Sequence, residues 1–243
     1  MATVTCHNIP PVKSDYEPIG VIEKFNDLDV YVSKPKDKSK PYKNAIIICY
    51  DVHGFHPNVK QFCDLLAEAG FLVALPDYFR GETTEVKSKG LVRYVFENFT
   101  NERIEKETLK VVEHLHSEYG VENLGFGGFC WGGFVGSKIC TMKDFDACVL
   151  IHYAPIKQPE VFKDSQCPIA FLPSRDDHDS QPYIDAMKDK PFVEKCIQKR
   201  FDDMHHGFAG SRGNFSDELN SKRVNEAIEI AVKFYHDNLG VKY

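Results

Sequence analysis

A chain of 243 residues with 42% hydrophobic content can bury one sizeable core, and a single domain spanning 1–243 is the default organisation at this length. Its net charge of −6, with acidic and basic residues interspersed, offers no basic stripe to a phosphate backbone and excludes nucleic acid as an expected partner. Eight cysteines lie scattered without C-x-x-C spacing, the N-terminus lacks a basic and apolar leader, and no apolar run is long enough for a bilayer, so free thiols in the cytoplasm are expected and a membrane is not.

Residues 1–20 read as an N-terminal extension. Segments 21–25 and 28–33 place β-branched and apolar residues on either side of Asn26-Asp27, the pattern of a short hairpin of edge strands. The lysine-rich run 34–43 is a solvated loop by composition. Residues 45–50 form a continuous apolar run too short for a helix, as expected of a strand buried on both faces of a parallel sheet. It ends at the polar loop Asp51-Val52-His53-Gly54. Val59, Phe62, Leu65, Leu66 and Ala69 then recur at helical spacing up to Gly70, and 71–75 is a second buried strand closed by Pro76-Asp77-Tyr78-Phe79-Arg80. Strand, helix and strand at this spacing make a βαβ unit, whose right-handed crossover brings both strand ends to one edge.

Residues 82–99 are polar with a weak helical patch near 91–96, a segment able to cover a site. Thr100 or Asn101 can cap a helix reaching Tyr119, with Ile104, Thr108, Val111, Val112 and Leu115 on one face and Gly120 at its end. The apolar run from Leu124 then stops at Gly128-Phe129-Cys130-Trp131-Gly132, which has the G-x-nucleophile-x-G form of a nucleophile elbow with a thiol at its centre. The spacing has a steric origin, because a side chain thrust out at a sharp strand-to-helix turn needs neighbours without a Cβ. A helix beginning near Trp131 would favour an anion at Cys130. The competing reading is a tight turn around a buried, inert cysteine.

Beyond the elbow, 147–151 and 168–172 are further buried strands, 196–201 alternates as an outer strand, and 217–238 carries a final amphipathic helix. The alternation predicts a doubly wound, mostly parallel sheet flanked by helices, with loops at the carboxyl ends of the strands converging on one crevice. Two of those loops carry the groups an elbow nucleophile requires. Ser174-Arg175-Asp176-Asp177-His178 offers an acid, His205-His206-Gly207-Phe208 offers a base, and the order nucleophile, acid, histidine is that of α/β-hydrolases. The acidic loop lacks the spaced histidine or cysteine set of a zinc site, so no metal and no cofactor is expected.

From about Val21 onward the chain resembles the dienelactone hydrolase family of α/β-hydrolases. The resemblance rests on the thiol elbow, the His206-Gly207-Phe208 context, Asp51-Val52-His53-Gly54 after the first buried strand and Pro76-Asp77-Tyr78-Phe79-Arg80 after the second. It implies an α/β-hydrolase fold and a catalytic set of Cys130, Asp177 and His206, with Asp176 as the alternative acid. The backbone amides of Val52 and Trp131 are the implied oxyanion hole, and Asp51 and Arg80 take the family's thiol-positioning and substrate-binding places. Two departures stand out. Asp51 replaces a glutamate, and Gly210 stands where a second substrate arginine is expected, with Arg212 out of register. The implied activity is hydrolysis of a small ester or lactone by a monomer or weak homodimer. A catalytically silent scaffold used for ligand binding or interaction is the alternative.

Overall fold

The computed structural model describes residues 9–36, 42–83, 86, 88–241 and 243; Cys6, half of the lysine-rich loop and three residues of the 82–99 segment lie outside them. Strands β1 (Val21–Phe25) and β2 (Leu28–Ser33) form the expected antiparallel hairpin, with Asn26 taking a positive φ of 56° at its tip. Six more strands follow: β3 (Asn44–Cys49), β4 (Leu72–Pro76), β5 (Asn123–Phe129), β6 (Ala147–Ile151), β7 (Ile169–Leu172) and β8 (Ile197–Gln198). They make one sheet in the order β1-β2-β4-β3-β5-β6-β7-β8, parallel from β4 through β8. The outer strand expected over 196–201 is shorter than its alternation suggested. Ladder pairing covers two residues, and the rest of the segment continues only as the bonds Lys199 N to Phe171 O and Phe201 N to Pro173 O.

Among the described residues six α-helices flank the sheet: α1 (Pro57–Glu68), α2 (Ser88–Asn98), α3 (Asn101–Tyr119), α4 (Trp131–Ile139), α5 (Gln181–Ala186) and α6 (Glu218–Asn238). Their ends follow local chemistry. Thr100 accepts from Arg103 N to start α3, Gly120 closes it at φ 67°, and Asp217 accepts from Asn220 N to start α6. α1 packs with α6, and α3 packs with α4, which lies against β5 and β6. The central strands are buried apart from Asn44 and Asn123 at the starts of β3 and β5; Ile46, Ile47, Ile48, Leu124, Phe126, Val149 and Leu150 are among the buried residues, each large side chain contributing about 1.5–3 kcal/mol of burial.

One arrangement was not visible in the sequence. Residues 12–19 strap α1 down, with Lys13 N donating to Gln61 Oε1 and both Tyr16 Oη and Ile19 N donating to Asp64 Oδ2. The strap, together with Tyr31 Oη, satisfies the buried polar side chains of Gln61 and Asp64. Among the described residues no helix is long and apolar enough to cross a membrane, and the seven cysteines are free thiols.

From β3 the chain winds outward to β4, then returns to lay β5 on the other side of β3. The winding direction therefore reverses between β3 and β5. The loops at the carboxyl ends of those two strands diverge at this topological switch point, and the Asp51 loop and Cys130 lie there.

Candidate active site

The elbow forms because two glycines permit it. A Cβ on Gly128 would fall 2.3 Å from Gly132 O, and one on Gly132 would fall 2.2 Å from Cys49 O, so either side chain would drive β5, α4 and β3 apart. Cys130 sits between them at φ 52° and ψ −109°, a strained conformation worth about 1–3 kcal/mol that the surroundings must hold. Its N–H donates to Ile151 O at 3.2 Å and its carbonyl accepts from Ala154 N at 2.8 Å, so the turn after β6 grips it on both sides. The thiol is half-buried, neither locked in the core nor free in solvent.

The loop after β7 brings the acid. Asp177 turns back on Ser174, whose N–H and Oγ donate to Asp177 Oδ2 at 2.7 and 2.8 Å. Oδ1 is left facing His206 Nδ1 at 2.6 Å. Asp176 plays a different part, because its Oδ2 accepts from the backbone N–H of His206 at 2.9 Å and holds the loop rather than the ring. His205 bonds the carbonyl of His206 through Nδ1 and turns away from Asp177. The segment carrying His206 is tied down from two helices. Asn58 of α1 donates to Gly210 O and Gly213 O, and Asn220 of α6 donates to Phe208 O.

These contacts set the charges. Burial works against a charged His206, but its hydrogen bond to Asp177 and the neighbouring Cys130 outweigh that and raise its pKa to about 10. Burial likewise opposes the Asp177 carboxylate, and the bond from His206 prevails and lowers its pKa. Asp177 thus holds the imidazole of His206 through a 2.6 Å hydrogen bond, with Cys130 close enough to act on its charge.

Two backbone amides of the elbow and the turn after β3, those of Trp131 and Val52, have no acceptor among the described residues. Trp131 is the first residue of α4, where an N–H has no intrahelical partner, and the amide after it is already given to Tyr50 O. The Trp131 ring packs against Phe79, Tyr50 and Phe99 beneath the elbow. Val52 leads a tight turn in which Gly54 N bonds Asp51 O and His53 N bonds Asp51 Oδ1.

The remaining predicted residues are placed as follows. Asp51 is buried and its Oδ2 accepts from Ser211 N at 2.9 Å and Ser211 Oγ at 2.5 Å, so it ties the Val52 turn to the histidine loop. A Cβ on Gly210 would come 2.7 Å from that oxygen, which leaves no room for a larger residue there while Asp51 stays in place. The Arg80 guanidinium is occupied by Asp27 at 3.0 Å and Glu107 at 2.9 Å, an ion-pair role that accounts for its contacts. Arg212 lays its stem against Gly207.

Sequence reasoning passed over Ser174, Ser211 and His152. The serines carry no signal beyond lying on site-side loops. His152 directly follows β6, at the sheet edge where such sites form, and its position was the available clue. It is fully buried, 5.3 Å from the His206 ring between centroids. Burial first, then the neighbouring His206, depress its pKa to about 3 despite Asp177 and Asp51, so it is uncharged.

The chain is similar to known proteins of one family. The sequence profile described as the dienelactone hydrolase family matches residues 28–239. An uncharacterized AIM2 family protein of Schizosaccharomyces pombe is 25% identical over 241 residues, covering 93% of this chain and 95% of its own. A carboxymethylenebutenolidase homolog of Xenopus tropicalis is 24% identical over 233 residues, covering 92% and 93%. Among solved structures, a putative dienelactone hydrolase from Klebsiella pneumoniae superposes with a TM-score of 0.73 at 17% identity, covering 90% of this chain and 98% of that one, a likeness that shows the shared α/β-hydrolase fold.

Proposed function

The chain belongs to the dienelactone hydrolase family, and from that premise we propose that it is a cysteine-dependent hydrolase of carboxylic esters or lactones acting through a thioester acyl-enzyme. The observation that carries the reading is the 2.6 Å hydrogen bond from His206 Nδ1 to Asp177, on an imidazole whose charge Cys130 also stabilises. Asp177 fixes the tautomer of His206 through Nδ1, so Nε2 is the nitrogen left for the thiol.

The Cys130 thiolate attacks the carbonyl carbon, and the oxygen that takes up the electron pair is held by the amides of Val52 and Trp131. Collapse breaks the C–O bond. The departing alkoxide takes the proton from His206 Nε2, and a thioester remains on the sulfur. A water then gives a proton to Nε2 as its oxygen attacks the thioester carbonyl, and a second collapse expels the thiolate and releases the acid. A thiolate leaves more readily than an amine, so esters and enol lactones are favoured over amides.

The substrate is a small molecule, and the proposed setting is the cytoplasm, with the chain acting as a monomer or weak homodimer. Turnover of p-nitrophenyl acetate by the wild type and its loss in Cys130→Ala is the expected result. Equal rates for the two proteins would reject the nucleophile, and a wild type without turnover would favour the silent scaffold.

A further inference from the structure

His152 is a buried titratable side chain beside the site that the hydrolase chemistry does not use. His152 adopts φ 34°, a left-handed conformation that a non-glycine residue holds only when its surroundings enforce it. Both ring nitrogens are buried without a partner among the described residues. The ring stands edge-on to His206, with an interplanar angle of 68°, and is flanked by Phe129 at 5.6 Å and Phe208 at 5.7 Å. A Cβ on Gly210 would lie 3.4 Å from its Cε1 and Nε2, so the wall is filled on that side as well. The residues on either side of His152 grip the nucleophile, Ile151 O accepting from Cys130 N and Ala154 N donating to Cys130 O. An apolar ring would fill this space without leaving two polar atoms unpaired, and such a group kept at a strained position beside a reactive pair calls for a functional reason.

Resting on the hydrolase reading of the site, we propose that His152 is a positioning residue for the Cys130–His206 pair: its turn holds the nucleophile from both sides, and its uncharged polar ring fixes the tilt of His206 and stabilises the imidazolium. The groups facing it with charge or titration are His206, Asp177 and Asp51, from the loops after β8, β7 and β3. Phe129, Phe208 and Gly210 complete its surroundings and carry none. With His206 charged, a second proton on His152 is disfavoured, so the ring contributes a dipole and never competes for the proton that turnover moves. In an otherwise apolar wall that dipole offsets part of the burial that works against the His206 cation.

The test compares His152→Phe and His152→Leu with wild type and with Phe162→Leu, a core change between Phe171 and Tyr183. Four quantities are read: melting temperature, kcat per active site titrated by an ester burst, the rate of iodoacetamide modification of Cys130 by intact mass, and the ionisation of His206 by imidazole 15N NMR. His152→Phe should fold, and the leucine variant serves if the larger ring does not fit. In the folded variant kcat per titrated site should fall by about tenfold or more with KM unchanged, in keeping with a displaced reacting group. Alkylation should slow in step, and His206 should ionise about one unit lower. Phe162→Leu should lose melting temperature alone. Wild-type kcat per site with wild-type alkylation and His206 ionisation in a folded His152 variant would overturn the proposal. Should the wild type hydrolyse no ester, the hydrolase reading fails by itself, while the alkylation and NMR measurements still decide the role of His152.

Discussion

Replacing Asp177 with asparagine isolates what the carboxylate does, because the structure dictates how the new amide must sit. Oδ2 of Asp177 accepts from both the N–H and the Oγ of Ser174, and that Oγ itself accepts from Asp176 N at 3.3 Å, so its proton is committed to residue 177. The asparagine oxygen is therefore required on the Ser174 side, and its NH2 group faces His206 Nδ1. Nδ1 must then supply a lone pair, which moves the ring proton to Nε2, the nitrogen that has to accept the proton of the attacking water. Loss of the charge-assisted 2.6 Å bond is worth about 1.5–3 kcal/mol, roughly 10- to 150-fold in rate. The wrong tautomer adds to this, so kcat/KM for p-nitrophenyl acetate is expected to fall by about 100- to 10,000-fold. The pKa of His206, opposed by burial and lifted to about 10 by Asp177 and Cys130, should drop toward its ordinary range. Rate profiles against pH, on protein shown by thermal melting to be folded, measure both effects. A folded Asp177→Asn variant within about threefold of wild type would refute the tautomer reasoning.

Two further outcomes follow from the same geometry. Gly132→Ala places a Cβ 2.2 Å from Cys49 O and 2.7 Å from Tyr50 O, both immovable backbone, and should cost more than about 3 kcal/mol in denaturant unfolding; a wild-type midpoint would contradict the clash. The raised folded pKa of His206, against an unfolded value of about 6.5, makes its contribution complete below about pH 6.5 and progressively lost as pH rises through about 10. Asp177, whose folded pKa is lowered, contributes above its unfolded value of about 3.9 and loses that contribution as pH falls through the lower folded value. Melting temperatures between pH 7 and 10 should therefore decline less steeply in His206→Gln than in wild type, and parallel slopes would refute the link.

Much of the scaffold was legible because local chemistry and tertiary demand agree. Thr100 and Gly120 bracket α3 as their capping preferences require, the Asn26-Asp27 turn makes the β1–β2 hairpin, and Gly128 and Gly132 allow the elbow because the backbone beside them leaves no room for a Cβ. The choice between Asp176 and Asp177 was not legible. It turns on a tight bend in which Asp177 N bonds Ser174 O, and a shift of one residue in that bend would exchange the two carboxylates. Arg80 reads in sequence equally as a substrate-binding arginine and as an ion-pair partner, and only the fold brings Asp27 and Glu107 to its guanidinium. The strap over α1, the Ser211 bond to Asp51 and the burial of His152 each join residues far apart in the chain, a kind of information that periodicity and capping do not carry.

The most direct measurement is intact and peptide mass spectrometry of the enzyme quenched with acid during turnover of an aromatic ester. An acyl group on the peptide bearing Cys130, absent in Cys130→Ala and accumulating in His206→Gln only at a much slower rate, is the predicted result. Hydrolysis at wild-type rates with no acyl group on that cysteine, or with the label on another residue, would contradict the thioester route.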